Sequence, residues 1–99
     1  MIRMTPSQIL PQHRAAIRRM VSNSGMSNPR FFGSFVHGDA SEDSDLDILV
    51  DPSPESSLLD LGKLQIELES VVGMKVDLRT PRSLPESFRE RILAEAVSI

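Results

Sequence analysis

Phe31-Phe32-Gly33-Ser34 and, ten residues further on, Asp45-Leu46-Asp47-Ile48-Leu49-Val50 are the stretches of sequence that decide the fold. In the second stretch, apolar residues alternate with aspartates, a period of two that predicts a β-strand with one buried face. The first stretch is short and apolar-aromatic and ends in glycine, which predicts a strand followed by a turn. The sequence therefore predicts two strands joined by a loop over residues 34–44.

The two aspartates that open the second strand have the spacing of a shared site. Side chains two residues apart on a strand project from the same face, so Asp45 and Asp47 converge. Two unpaired carboxylates repel each other, and a divalent cation relieves that repulsion. Ligation by oxygen atoms alone favours Mg²⁺ or Mn²⁺ over zinc. The sequence thus predicts a metal site on this strand face.

Gly33 and Ser34 supply a place where the backbone can approach a phosphate group. Gly33 has no side chain in the way, and the hydroxyl and amide of Ser34 can donate hydrogen bonds to the phosphate. Asp77 lies in a third predicted strand and faces the acidic pair if the strands are adjacent; a single strand aspartate can also simply face water. Together these parts describe in-line nucleotidyl transfer with two metal ions, in which Asp77 helps deprotonate an acceptor hydroxyl.

The rest of the chain predicts three helices and one more strand. Capping boxes at Ser57 with Asp60 and at Ser83 with Glu86 mark two helix starts, and Phe88 and Ile92 are expected on the buried side of the last helix. The predicted order is helix 11–22, strand 29–32, strand 45–50, helix 57–73, strand 75–78 and helix 83–97. This order predicts an α+β fold, a small mixed β-sheet with helices packed on one side, as a single domain over residues 1–99.

Composition narrows the classes of function. The chain has 99 residues, no cysteine and a formal net charge of −3. It therefore has no disulfide framework, no thiol chemistry and no general attraction for a nucleic-acid backbone. Its four phenylalanines are its only aromatic residues, too few for a base-stacking surface. Without an apolar run of about 18 residues no membrane span is predicted, so we expect a cytoplasmic protein with no nucleic-acid or membrane partner.

An EF-hand calcium loop is the obvious competing interpretation of the acidic residues, because Asp39, Ser41 and Asp43 alternate. It fails on its own spacing: Ser44 stands where the loop needs glycine and Val50 where it needs a bidentate glutamate. A solvated acidic turn explains the acids before residue 44 well. It does not explain Asp45 and Asp47, because they begin the most apolar strand of the chain.

The paired motifs resemble the signature of the nucleotidyltransferase superfamily typified by DNA polymerase β. Within that superfamily, residues 31–38 and Ser44-Asp45-Leu46-Asp47 are similar to the minimal nucleotidyltransferases, or MNT proteins, and the resemblance covers nearly the whole chain. It implies a polymerase β-like palm, two Mg²⁺ ions and ATP as the nucleotide donor. It also implies that Gly33 and Ser34 bind the triphosphate, that Asp45 and Asp47 hold the metals, and that Asp77 completes the triad.

The resemblance further implies a protein partner. MNT proteins are typically paired with a HEPN-domain protein in toxin–antitoxin modules, where AMP transfer to a tyrosine near the HEPN active site neutralises the RNase toxin. This chain contains no tyrosine, so tyrosyl AMPylation would have to act on another chain. Two alternatives stay open: a non-catalytic antitoxin that inhibits by occlusion, and a small-molecule nucleotidyltransferase such as an antibiotic-modifying enzyme. Two clusters of arginines favour occlusion, an early one at Arg14, Arg18 and Arg19 and a late one at Arg79, Arg82, Arg89 and Arg91.

One residue departs from the pattern of the family. Many relatives have Ala-Arg-Gly where this chain has Val36-His37-Gly38. A histidine contacts phosphate only as a weaker and pH-dependent cation. We therefore expect a difference in nucleotide affinity or acceptor preference, although a loop histidine can also be an ordinary surface residue.

Overall fold

Four strands and four helices make up the part of the chain that the computed structural model describes, residues 11–38 and 45–99. A 3₁₀ turn, Pro81–Ser83, precedes the last helix. The elements are α1 Pro11–Asn23, β1 Ser27–Phe32, α2 Ser34–His37, β2 Leu46–Asp51, α3 Leu58–Val72, β3 Val76–Arg79, α4 Glu86–Glu95 and β4 Val97–Ser98. None of the helices in these two ranges is both long and apolar enough to cross a membrane.

The strands form one mixed sheet in the order β3-β2-β1-β4. β1 pairs antiparallel with β2 and β4, whereas β2 and β3 are parallel. A parallel pair needs a crossover connection, and α3 provides it. The predicted α+β class with a mixed sheet is confirmed.

The main core lies on one face of the sheet, where α1 and α3 cover it. Strand alternation turns Leu46, Ile48 and Val50 toward these helices. The apolar positions of α3 recur at helical spacing, so they meet that face along its length. Core residues with no exposed surface are Ile17, Leu46, Ile48, Val50, Leu64 and Leu68.

The prediction that the helices pack on one side holds for α1 and α3 but not for α4. Phe32, Leu49 and Leu84 form a second buried cluster, and Ile92 and Ala96 pack against it. Leu49 follows Asp47 by two residues and shares its strand face, so an apolar side chain there needs a cover. The end of α4 supplies that cover on the same side of the sheet as the aspartates.

The predicted start and end of the last helix were wrong. Ser83 does not cap α4: its hydroxyl accepts from the Thr80 amide at 3.1 Å and donates to the Thr80 carbonyl at 2.8 Å, within the 3₁₀ turn. The helix ends at Glu95, and the two-residue strand β4 follows. Phe88 was expected to be buried but is 53% exposed.

The predicted loop over residues 34–44 is partly a helix, because α2 occupies Ser34–His37. The competing interpretations of Asp39, Ser41, Glu42 and Asp43 concern residues outside the described ranges. At the other strand boundary, β1 begins at Ser27, two residues before its predicted start, with an irregularity in its pairing before Arg30.

Two arginines of α1 hold the end of the chain. Arg14 and Arg18 donate hydrogen bonds to the carbonyls of Ser98 and Ile99 at 3.4 and 3.1 Å. Arg14 also lies 5.1 Å from the centre of the Phe31 ring, in a cation–π contact. These two members of the basic cluster are therefore engaged within the fold.

Helix α3 has well-formed ends and one weak position between them. The predicted capping box is present: the Asp60 amide donates to Ser57 Oγ at 3.2 Å and the Ser57 amide donates to Asp60 Oδ2 at 2.9 Å. Gly73 ends the helix in the left-handed conformation. Gly62 lies in the helix interior, where glycine costs about 1 kcal/mol relative to alanine, and a Cβ added there would meet no atom of the described ranges within 4 Å.

Replacing Ser57 with alanine removes one half of the capping box, so we expect Ser57→Ala to lower the free energy of unfolding by about 1 kcal/mol. Urea denaturation followed by circular dichroism measures the loss. Ser22→Ala, at an exposed position in the last turn of α1, is the matched control and should change stability by less than about 0.5 kcal/mol. Equal effects of the two substitutions would contradict a capping role.

Candidate active site

The strand register brings the predicted site residues together at one end of the sheet. Asp47 pairs with Asp77 across the parallel β2–β3 ladder and with Phe32 across the antiparallel β1–β2 ladder. Paired residues on adjacent strands share a face, and Gly33 directly follows Phe32. The Asp47 side chain therefore lies between Gly33 on one side and Asp77 on the other.

Position 33 requires glycine, because the Asp47 side chain contacts the backbone there. A Cβ built on Gly33 would overlap Asp47 Oδ2 and would lie 3.1 Å from Asp47 Cγ. The backbone at Gly33 also has a φ of 72°, in the region that disfavours side chains. The carboxylate thus rests directly against the backbone turn that leads into α2.

Ser34 is the first residue of α2. The amides of Val36 and His37 both donate to the Gly33 carbonyl, at 3.0 and 3.2 Å. The first-turn amides, at Ser34 and Phe35, have no acceptor within the helix. Ser34 therefore directly follows the glycine that contacts Asp47.

Electrostatic repulsion is concentrated on Asp47. Burial, the largest cause, together with the carboxylates of Asp77 and Asp45, raises the pKa of Asp47 from its ordinary value of 3.8 to about 6, against an opposing effect of Arg79. A hydrogen bond with the Asp77 side chain acts in the same direction as burial. Asp45, which is exposed just before β2, thus lies within electrostatic reach of this half-buried carboxyl.

The carboxylates of the candidate site suit Mg²⁺ better than a metal ion whose ligands all come from the protein. Within residues 11–38 and 45–99, no three acidic or histidine side chains already converge as a complete metal cluster. Mg²⁺ is usually bound by one or two carboxylates, with waters and substrate phosphates filling the other positions. A half-buried carboxyl destabilised by two neighbouring acids is a group that such a cation would stabilise.

Arg79 is a neighbour of the site that the sequence pattern did not single out. Its Nε lies 3.0 Å from Asp77 Oδ1, and both side chains are about two-fifths exposed. In the sequence, Arg79 stands out only as a member of the late arginine cluster. Its position two residues after Asp77 on the same strand was the available signal, because such residues share a face.

His37 points toward α4. Its Nε2 lies 2.7 Å from Glu95 Oε2, and Arg91 approaches the other oxygen of Glu95 at 3.4 Å. The hydrogen bond from His37 is the main cause that lowers the pKa of Glu95. In this arrangement, His37 connects the end of α2 to α4.

A cavity of about 190 Å³ adjoins Gly33. Its lining includes Phe32, His37 and Ile92, and Phe88 forms part of its wall. This position accounts for the exposed Phe88 ring, which faces the cavity instead of the core.

The two glycines that flank α2 allow a matched test of the Gly33–Asp47 contact. Both have positive φ, 72° at Gly33 and 76° at Gly38, but among the described residues a Cβ at Gly38 would meet no atom within 4 Å. Gly38→Ala should cost about 1 kcal/mol of stability for its left-handed backbone. Gly33→Ala should cost at least about twice as much and displace Asp47, because its ψ of −143° lies outside the left-handed region and its Cβ would overlap the carboxylate. Thermal unfolding compares the two variants, and equal losses would contradict the contact.

The pKa of Asp47 predicts how stability depends on pH. Below pH 3.8 the Asp47 carboxyl is protonated in both the folded and the unfolded chain. Between pH 3.8 and about 6 the carboxyl ionises in the unfolded chain first, so folding becomes less favourable as pH rises. Above about pH 6 the carboxyl is ionised in both states, and the loss of folding stability is complete. Without metal, Asp47→Asn should therefore stabilise the protein by about 1 kcal/mol near neutral pH, a value reduced for its partial exposure, and by nothing near pH 4. Thermal melts in chelator across this range measure the effect.

Asp51→Asn is the control of opposite sign. Burial opposes the shift, but hydrogen bonds from Arg30 and Asn28 hold the pKa of Asp51 below 3.8. Asp51 therefore contributes stability above that pH and loses it as pH falls, so Asp51→Asn should destabilise the protein near neutral pH. A stabilising effect of both substitutions, or of neither, would contradict the assignment.

Comparisons with known proteins agree with this geometry. A family model described as a nucleotidyltransferase domain matches residues 12–99. The protein adenylyltransferase MntA of Thermococcus cleftensis is 38% identical over 91 residues, which cover 92% of this chain and 89% of the relative.

Two solved structures extend the comparison. One, named provisionally as a minimal nucleotidyltransferase, has a TM-score of 0.85 and 35% identity and covers 97% of both chains. A tri-AMPylated Shewanella oneidensis HEPN toxin in complex with an MNT antitoxin matches with a TM-score of 0.66 and 18% identity, covering 88% of this chain and 68% of that chain. This second likeness shows the fold alone. The family-model match over residues 12–99 and the identity to the T. cleftensis relative place this chain in the nucleotidyltransferase family.

Proposed function

We propose that this chain is a Mg²⁺-dependent protein adenylyltransferase that transfers AMP from ATP to a hydroxyl of a partner HEPN toxin and so neutralises it. We further propose that residues 1–99 act as one minimal catalytic domain. The observation that carries the proposal is the position of Asp47, which lies against Gly33 and opposite Asp77 in the β2–β3 register.

The names of two similar proteins support the reaction and the acceptor. The relative from T. cleftensis is named a protein adenylyltransferase, which supports AMP as the transferred group. The S. oneidensis structure contains an AMPylated HEPN toxin bound to an MNT antitoxin, which supports a HEPN-type acceptor. A tyrosine acceptor would have to lie on the partner, because this chain has no tyrosine.

Asp45 and Asp47 are the residues that would hold Mg²⁺, with Asp77 as a third carboxylate beside them. When bound, Mg²⁺ neutralises the carboxylates and the negative charge of the phosphates during transfer. Gly33 and Ser34 would bind the triphosphate, because the glycine leaves room for a phosphate oxygen and the serine offers a hydroxyl and an amide. The raised pKa of Asp47 supports this assignment, since the site favours an added positive charge.

The transfer step needs a base for the acceptor proton. The acceptor oxygen forms a bond to the α-phosphorus of ATP, the bond from that phosphorus to the bridging oxygen breaks, and pyrophosphate leaves. We assign the proton to the Asp77 carboxylate, which is about two-fifths exposed and so accessible to a side chain from a partner. Arg79, at 3.0 Å from Asp77 Oδ1, would fix the position of that carboxylate.

Asp47→Asn is expected to abolish AMP transfer, because the amide removes a metal-binding charge while keeping the shape of the side chain. The folded variant is incubated with ATP, Mg²⁺ and a folded HEPN-domain partner, and intact mass spectrometry measures added AMP. We expect a loss of at least about 100-fold in rate. Glu55→Gln, at an exposed position after β2, removes the same charge elsewhere and should retain the wild-type rate.

The same variants separate catalysis from occlusion. Arg14 and Arg18 of α1 donate hydrogen bonds within the chain, so they are less available to bind a partner. This makes inhibition by occlusion through α1 a weaker alternative. If Asp47→Asn protects cells from the toxin as well as wild type does, while no AMP is added, inhibition by occlusion is the function. If wild type itself adds no AMP to a folded partner in the presence of ATP and Mg²⁺, the proposed activity is wrong.

A further inference from the structure

We propose that the outer face of α3 binds a second copy of this chain. This face, the α3 surface, consists of Leu58, Leu59, Gly62 and Ile66. The three large side chains are 87%, 73% and 68% exposed, in that order. The opposite side of the same helix already supplies Leu64 and Leu68 to the core. Helix α3 is therefore apolar on two sides, and the part of the chain that the structure describes covers only one of them.

Gly62 makes this face suited to a close helix contact. It lies between Leu59 and Ile66 on the outward side of the helix, in a position where alanine would be the better helix former. Nothing in residues 11–38 and 45–99 explains the glycine, because a Cβ there would meet no atom of these residues within 4 Å. The distance at which two helices pack depends on the side chains at the contact, and a glycine permits a short one.

The pattern around Gly62 is complementary to itself. Leu58 and Leu59 lie about one turn before Gly62, and Ile66 lies about one turn after it. Two antiparallel helices that cross at Gly62 would place the two leucines of each copy against Ile66 of the other. Such a two-fold contact uses the same patch on both copies, as closed dimers require.

Area and charge are consistent with a reversible dimer. The exposed parts of the three apolar side chains amount to roughly 400 Å² on each copy, or about 800 Å² for a pair before the rim is counted, which is the range of weak interfaces. On one flank, Asp60 and Lys63 lie within a turn of each other. The antiparallel arrangement places Lys63 of one copy near Asp60 of the other, an exposed pair that favours this register.

A second copy fits this face better than an acceptor protein does. Helix α3 covers the sheet face formed by Ile48 and Val50, whereas Asp47 points to the opposite face. An acceptor side chain has to reach Asp47, so a protein seated on the α3 surface alone would be separated from the site by the sheet. A dimer through α3 would leave both sites open.

Sedimentation velocity of the full chain over a series of concentrations, without ATP, tests the proposal. We expect a monomer–dimer equilibrium and a dissociation constant at least about tenfold higher for Ile66→Glu. Ala15→Glu, which adds the same charge at an exposed position of α1, should leave the dissociation constant unchanged.

The substitution Gly62→Ala distinguishes a role of Gly62 in the dimer contact from a role in the stability of α3. At concentrations where the chain is monomeric, the alanine should raise the thermal midpoint, because it favours the helix. In the same variant the dimer should be weaker by at least about fivefold, since a methyl group occupies the crossing point. Opposite effects on folding and on association are expected only if Gly62 lies in the contact.

Three results would overturn the proposal. A wild-type chain that stays monomeric up to millimolar concentration has no such interface, and a dimer unaffected by Ile66→Glu uses another surface. A monomeric chain whose α3 becomes protected from hydrogen exchange only when a HEPN-domain protein is added assigns this face to that partner. Because no measurement here involves nucleotide transfer, these outcomes are independent of whether the proposed adenylyltransferase activity is found.

Discussion

The placement of Asp47 is the constraint on which the rest of the structure depends. The β2–β3 register places Asp47 beside Asp77. Because Gly33 has no side chain, the Asp47 carboxylate can lie against the backbone at that position. This arrangement has a cost, because burial and two neighbouring acids raise the pKa of Asp47 to about 6. At neutral pH the Asp47 side chain is therefore ionised, although the fold stabilises its protonated form better. A bound cation would stabilise the ionised form and remove that cost.

The architecture offsets this cost on the other side of the sheet. The parallel pairing that aligns Asp47 with Asp77 requires a crossover, and the crossover helix α3 buries Leu64 and Leu68 in the main core. Residues of β2 therefore alternate between two functions: Leu46, Ile48 and Val50 stabilise the fold on one face, and Asp47 faces the site on the other. The strand cannot slip by one residue without exchanging these faces, so the core fixes the position of the carboxylate.

The sequence predicted the parts of the candidate site whose placement depends on local spacing. Period-two alternation placed Asp45 and Asp47 on one face, and the motif at Gly33 and Ser34 marked the adjoining turn. Sequence spacing could not determine which strands are neighbours. Asp77 was expected to face Asp47 only if their strands are adjacent, and the sheet order shows that they are. Sequence spacing also could not show that His37 pairs with Glu95, since partners 58 residues apart are set by tertiary packing. The contact between Arg79 and Asp77 differs, because their spacing on one strand already indicated that they share a face.

The errors at α4 have a common physical origin. A helix that covers only a small cluster around Leu49 needs few buried positions, so its apolar residues are not a reliable guide to its buried face. Phe88 satisfies the helical spacing of a core residue but lines the cavity beside Gly33. The opposite holds for α3, whose inward face is fully used. The core formed by the described residues does not explain the apolar residues left on its outer face. The two helices thus place exposed apolar surface in different locations, beside the site at α4 and on the far side of the sheet at α3, where association need not obstruct access to Asp47.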